Sequence, residues 1–241
     1  HVSLKYKNSS QDSLTDITFD VKRGETIGII GGTGSGKSSF VNMLPRFYDY
    51  TGGQLKIDGI DVKDYAVDDL RNKIGVVMQK AVLFKGTIRE NLNWGNPDAS
   101  DADLMEALET AQAAEVVQGK ENGLDAEVAQ GGKNFSGGQK QRLTIARALV
   151  RQPEILILDD SASALDYATD AALRKAIRDM KNSPTLFIVS QRAASILYAD
   201  KIIVLDDGKM AGIGTHTELL ESCPVYQEIY YSQFPKERKE A

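Results

Sequence analysis

The stretch "IGIIGGTGSGKSSF", Ile27 to Phe40, decides how this chain folds. A short run rich in isoleucine reads as a strand buried on both faces. Glycines at 31, 32, 34 and 36 break it, and Lys37 opens a helical pattern expected to reach about Phe47. Gly31, Gly36, Lys37 and Ser38 match G-x-x-x-x-G-K-[ST], in the strand–loop–helix setting that gives this spacing a physical meaning. Glycines let successive backbone N–H groups turn inward around an anion, and the helix N-terminus adds partial positive charge. The candidate phosphate-binding residues are therefore Gly31, Gly32, Thr33, Gly34, Ser35, Gly36, Lys37, Ser38 and Ser39. Lys37 is placed to reach the β- and γ-phosphates of a nucleoside triphosphate, and the Ser38 hydroxyl to ligate Mg²⁺. A flexible glycine turn before a helix is the bland alternative, and the ordered Lys-Ser pair argues against it.

A second stretch, "EILILDDSASALDYATD" from Glu154 to Asp170, ends an apolar run in two adjacent carboxylates. Asp159 and Asp160 repel each other unless a cation, a donor or water holds them. Beside a phosphate loop, an acidic residue at the end of a buried strand holds the Mg²⁺ shell, which makes Asp159 a candidate metal ligand. Kinases, GTPases and many ATPases all remain open on these residues.

The 241 residues are 41% hydrophobic and 26% charged, enough for one large domain or two small ones. A net charge of -5 argues against an extended nucleic-acid surface. Cys223 is the only cysteine, so no internal disulfide is possible. No apolar stretch approaches the roughly 18–20 residues needed to cross a bilayer, and no signal peptide is present. The chain opens at His1 inside a strand-like segment, which reads as a cut from a longer polypeptide.

Strands are expected in "VSLKY", "ITFDV" (Ile17, Phe19 and Val21 alternating), "ETIGII", "GGQLKIDG", "IGVVMQ", "EILILD" and "TLFIVS". "KIIVLDDGKMAGIG" reads as a hairpin turning at Asp207-Gly208. Helices are expected over "ASDADLMEALETAQAAEVVQ" with a Ser or Asp cap, over "SGGQKQRLTIARALVR", and at about 166–180 and 215–222. "KAVLFKGTIRENL" and "AEVAQGGKNFSGGQ" read, by composition, as surface loops. Trp94 is expected to pack within a helical insertion, His1 and His216 to face solvent, and "PKERKEA" to fray. The organisation is an α/β core over 1–85 and 152–241, with a largely helical insertion at 86–151.

"NFSGGQKQRLTIARAL" narrows the choice. Ser136, Gly137 and Gly138 open a helix and present a hydroxyl and N–H groups to a second anion, which suggests a composite site closed by another molecule. Phe135-Ser136-Gly137-Gly138-Gln139 resembles the LSGGQ signature of ATP-binding cassette (ABC) proteins. Further motifs follow over essentially the whole chain. Tyr6 resembles the aromatic that stacks on adenine, Gln79 the Q-loop glutamine that joins the Mg²⁺ shell, and Ser163-Ala164-Leu165-Asp166 the D-loop. The segments after Gln79 and before the signature are similar to those of exporter-type cassettes. Glu127 matches an acidic residue there, while Gln130-Gly131-Gly132 departs from the usual Glu-Arg-Gly. The resemblance implies a P-loop fold with a RecA-like core, an antiparallel β portion near the N-terminus and a helical subdomain. It also implies ATP and Mg²⁺ as cofactors. The implied partners are a second cassette and the transmembrane domain of the same parent chain, with no nucleic acid, at the cytoplasmic face of a cell membrane.

Two departures concern catalysis. The family carries glutamate after the Mg²⁺ aspartate and histidine before the switch arginine; here these are Asp160 and Gln191. Aspartate is one methylene shorter, and glutamine does not ionise near neutral pH. The reading is an exporter cassette that binds MgATP and hydrolyses it poorly at its own phosphate loop. Its intact signature would serve a partner cassette that carries Glu and His. A slow homodimer, a non-hydrolysing ATP sensor and a soluble ABC ATPase of DNA repair or translation are the rivals.

Overall fold

Thr26–Gly31 is buried at every position, as a strand covered on both faces must be. It is the third strand of a computed structural model that describes residues 1–237; the side chains of Ala162 and Ser163, and the end of the charged tail from Arg238, lie outside the described residues. In chain order the first elements are β1 (Val2–Leu4), β2 (Leu14–Ile17), β3 (Thr26–Gly31), α1 (Lys37–Met43), β4 (Lys56–Ile57), β5 (Ile60–Asp61), α2 (Val67–Lys73) and β6 (Ile74–Val77). Next are β7 (Gly86–Thr87), α3 (Ile88–Asn93), α4 (Asp101–Thr110), α5 (Ala114–Gln118), β8 (Glu127–Val128), α6 (Gly137–Leu149), β9 (Ile155–Asp159) and α7 (Tyr167–Arg178). The chain closes with β10 (Thr185–Val189), β11 (Lys201–Asp206), β12 (Lys209–Gly214), α8 (His216–Ser222) and α9 (Pro224–Gln233).

Two compact units emerge. The first joins His1–Ile74 to the chain from Thr185 onward. Its strands lie in the order β12–β11–β3–β10. β3 is parallel to both β10 and β11, and β11 turns back antiparallel into β12 at Asp207-Gly208, both with positive φ. The antiparallel pairs β1–β2 and β4–β5 belong to the same unit. The second unit, Gly75–Pro184, holds β9 beside β6, the pair β7–β8 and helices α3 to α7, with α3 and α4 packed on α6.

Several expectations need correction. The strand expected at "ITFDV" runs instead over Leu14–Ile17. Leu14 faces Leu4 and Ile17 faces Val2, so three steps on one strand match two on the other; Asp16, at φ 54, takes up the extra residue of this bulge. Phe19 instead stacks on Phe40. The first helix stops at Met43, because Pro45 offers no N–H and Arg46 turns left-handed. "GGQLKIDG" contributes only a two-residue strand to a tight hairpin. The long helix after Ser100 breaks into α4 and α5 at Gln112, φ 57. "GTIRENL" is not loop: Gly86-Thr87 pairs with Glu127-Val128, and Thr87 closes a capping box with Glu90 at the start of α3. Trp94 is 67% exposed, tilted against Phe84 at 5.4 Å. His216 is half-buried and hydrogen-bonded to the Tyr226 hydroxyl at 2.8 Å. Helices α2 and α9 had no counterpart in the sequence reading.

Candidate functional site

The phosphate loop begins where β3 runs out of room for side chains. A Cβ on Gly31 would lie 2.2 Å from the Leu205 carbonyl oxygen and 2.5 Å from Ser35 Oγ. Gly34 and Gly36 hold φ of 81° and 99°, the left-handed region that glycine enters without strain. Nothing stands within 4 Å of a Cβ on Gly32 or Gly34, so the loop is open on its outer side. Lys37 is only 9% exposed. Its Nζ donates to the carbonyl oxygens of Gly31 (2.8 Å) and Gly32 (2.7 Å) and lies 3.4 Å from Ser35 Oγ. A buried ammonium is costly unless partnered, and these oxygens hold it against the loop. The hairpin turn supports the loop from behind: Gly208 N–H donates to the Ser35 carbonyl at 3.2 Å.

Thr33 and Ser38 are exposed and Ser39 half-buried. The Tyr6 hydroxyl donates to Ser39 Oγ at 2.8 Å, which ties the residue expected to meet adenine to the first turn of α1. Tyr48 meets the Tyr6 ring edge-on, with centroids 4.8 Å apart. Sequence reasoning missed Tyr48; no spacing marks a residue whose contact is made across a loop. Gln191 is exposed on the segment after β10, which hangs from β3 through Ser190 N–H to the Ile29 carbonyl (3.1 Å).

The second unit holds the remaining candidates. Asp159 is buried at the end of β9. Asp160 takes φ 46, a conformation aspartate tolerates better than most residues. Gln79 Nε2 donates to Asp160 Oδ2 at 3.0 Å, pairing two predicted residues 81 positions apart. Ser136 caps α6 in a box with Gln139: Ser136 Oγ accepts from Gln139 N–H (3.2 Å), and Gln139 Oε1 from Ser136 N–H (3.0 Å). The amides of Gly137 and Gly138 sit at the first helical positions, which have no carbonyl partner inside the helix. A Cβ on Gly138 would come within 3.3 Å of the Ala164 carbonyl, so the D-loop passes close to the signature. Asp166 caps α7, accepting from Thr169 N–H (3.0 Å) and Thr169 Oγ1 (2.7 Å). These bonds, the backbone one first, hold its carboxyl below the usual range. Tyr6, the phosphate loop and Gln191 thus belong to one unit, and Gln79, Asp159, Asp160, Ser136 to Gln139 and Asp166 to the other. Among the described residues no three His, Cys, Asp or Glu side chains form a metal cluster. Mg²⁺ commonly draws on one or two side chains together with phosphate oxygens and water. Within the first unit the glycine cradle and its lysine fit a triphosphate; within the second, the buried carboxylate at the end of β9 is of the type that takes Mg²⁺.

Comparison with known proteins agrees. The family model described as ABC transporter matches residues 14–163. The chain is 44% identical, over its whole length, to the uncharacterized ABC transporter ATP-binding protein YfiB of Bacillus subtilis (strain 168). It is 40% identical over 97% of its length to the ATP-binding/permease protein YgaD of the same strain, assigned by inference to multidrug export. It covers 42% and 40% of these proteins, so it spans about two fifths of the curated relatives it matches. A solved structure of a bacterial Atm1-family ABC exporter with ATP bound superposes on 96% of the chain at a TM-score of 0.90 and 36% identity, with 41% of that chain covered. No helix among the described residues is long and apolar enough to cross a membrane. The fold is therefore that of a P-loop ABC ATPase with a RecA-like core, its cofactors are ATP and Mg²⁺, and the chain belongs to the ABC transporter family as a nucleotide-binding ATPase domain related to those of exporters.

Proposed function

We propose that this chain powers export by binding MgATP, closing against a second cassette and hydrolysing ATP slowly at its own phosphate loop. The hydrogen bond from Gln79 to Asp160 carries the reading of slow chemistry. One oxygen of an already short carboxylate is engaged by an amide, on a backbone fixed at φ 46. A water to be aligned by that carboxylate must sit farther back than glutamate would place it, and misplacement of about 1 Å can cost about 10²-fold in rate. Gln191 can donate a hydrogen bond to a terminal phosphate but adds no ionisable group there. The binding residues are intact. Mg²⁺ neutralises charge on the β- and γ-phosphates; we assign Ser38, Asp159 and Gln79 to its shell, Tyr6 to the base, and Lys37 with the loop amides to the phosphates.

Residues 86–151 would form the helical subdomain that presents Ser136, Gly137 and Gly138 to the nucleotide bound on the other cassette. The parent chain's transmembrane domain would hold the cassette at the cytoplasmic face. We take a second copy of this chain as the partner; that relatives are named for both ATP binding and permease supports a parent chain that carries its own transmembrane domain. A specific observation favours a second reading, a heterodimer: Asp160 and Gln191 depart from the family on the phosphate-loop side, while the signature keeps its cap and both glycines. Native mass and steady-state ATPase of the full-length protein with Ser136→Arg or Asp160→Asn separate the two. A homodimer loses activity equally with either change; a heterodimer loses it mainly with Ser136→Arg. If Lys37→Ala leaves ATP affinity unchanged, the site itself is wrongly assigned.

A further inference from the structure

The segment carrying Gln191 is held by a residue near the other end of the unit. Gln233, in the last turn of α9, accepts at Oε1 from Ala193 N–H (2.9 Å) and donates from Nε2 to the Gln191 carbonyl (2.8 Å). The side-chain amide thus pairs with the backbone as one strand pairs with another. The orientation is fixed, since a flipped amide would set donor against donor and acceptor against acceptor. On its other side the segment hangs from β3 through Ser190 N–H and the Ile29 carbonyl, and Ser190 Oγ accepts from Arg192 N–H at 2.9 Å. Residues 190–193 are therefore clamped between the strand that feeds the phosphate loop and the last helix. Ala193 is fully buried, so its amide has little access to water should Gln233 be lost. The Gln191 side chain, by contrast, is exposed, so its position follows that of the backbone that carries it.

We propose that Gln233 is a positioning residue for hydrolysis: it fixes the backbone of Gln191, and with it the reach of that side chain toward the terminal phosphate, which makes α9 a lever on turnover. The inference rests on the reading of Gln191 as the group that meets that phosphate. Nucleotide affinity depends on Lys37, the loop amides and Tyr6, none of which Gln233 touches, so the effect should fall on kcat.

The test measures ATPase activity and melting of the full-length protein with Gln233→Met, Gln191→Ala and both changes. Gln233→Met should lower kcat about fivefold, the scale of one net hydrogen bond, with KM within about twofold and a Tm that falls by several degrees, because the Ala193 amide loses its partner, yet stays well above the assay temperature. In the Gln191→Ala background it should lower kcat no further, because it acts through Gln191. The proposal is overturned by an unchanged kcat, by a rise in KM or loss of Tm that accounts for the change, or by an equal drop in the Gln191→Ala background. If Gln191→Ala itself leaves kcat unchanged, the role of Gln191 is what fails, and the lever falls with it.

Discussion

Asp160→Glu lengthens one side chain by a methylene, and Gln191→His restores an ionisable group on the switch segment. Together they should raise turnover by about tenfold or more with little change in ATP affinity, because both act on transition-state geometry. Phosphate release in dimers shown to be closed is the measurement; no gain there removes these two residues as the cause of slow hydrolysis. Tyr6 separates ring from hydroxyl. Tyr6→Phe keeps the face for stacking and loses the bond to Ser39, so ATP affinity should fall by about threefold; Tyr6→Ala should weaken it by about tenfold or more. Equal affinities for both variants and the unaltered protein would dissociate Tyr6 from the base. Residues of this kind were legible because each carries its chemistry in its type and spacing: Lys37 after Gly36, Asp159 after a buried run. Tyr48 and Gln233 were not. Each acts through a contact that sequence spacing does not encode, Gln233 across 42 residues to Gln191.

At the scale of elements, the hairpin turn is the phosphate loop's rear support. Gly208 sits at φ 73, where a Cβ would come 2.6 Å from the Ser13 carbonyl, and its N–H holds Ser35. Gly208→Ala should destabilise the chain by about 1–3 kcal/mol and weaken ATP binding as well, since the strain is relieved only by moving the loop's support. Denaturant unfolding and nucleotide titration check it; lost stability with intact affinity would separate turn from loop. This hairpin was readable from Asp207-Gly208 between apolar runs, as was the start of α6 at Ser136-Gly137-Gly138. β2 was misread because its bulge at Asp16 breaks the period of two. α4 and α5 were merged because a single left-handed Gln112 leaves no mark in composition. "GTIRENL" was taken for loop because its two-residue strand depends on a partner some forty positions away.

For the whole molecule, acidity offers a test of how the C-terminal helices are held. His216 lies against Tyr226 and Tyr230, with ring centroids 5.8 and 4.9 Å away. Burial keeps its imidazole below the ordinary value of 6.5, while Glu237 pulls the other way. As pH falls through 6.5 the unfolded chain takes up a proton that the folded chain still refuses. Stability from this group is therefore intact above 6.5 and lost progressively below it, until the folded imidazole also protonates. Melting temperature should fall between about pH 7.5 and about pH 5, and His216→Asn should remove part of that fall. Identical pH profiles for the two proteins would refute the assignment. Carboxylates held below their usual range, such as Asp49 beside Arg46, respond only in a separate, more acidic window.

The strand order of the first unit sets a condition on how the protein is made. β3 is flanked by β10 and β11, and Thr26 N–H donates to Asp200, 174 residues further on. A ribosome releases Gly31 to Ser39 long before it makes the strands that wall them in. Until then the nascent chain carries an apolar strand with both hydrogen-bonding edges bare, a slow-folding and aggregation-prone state. Nucleotide capture must therefore wait until the strands that flank β3 have been made. A stop codon between Ser39 and Lys201 would leave a polypeptide that spells out the entire phosphate-loop motif and lacks a strand that walls it in.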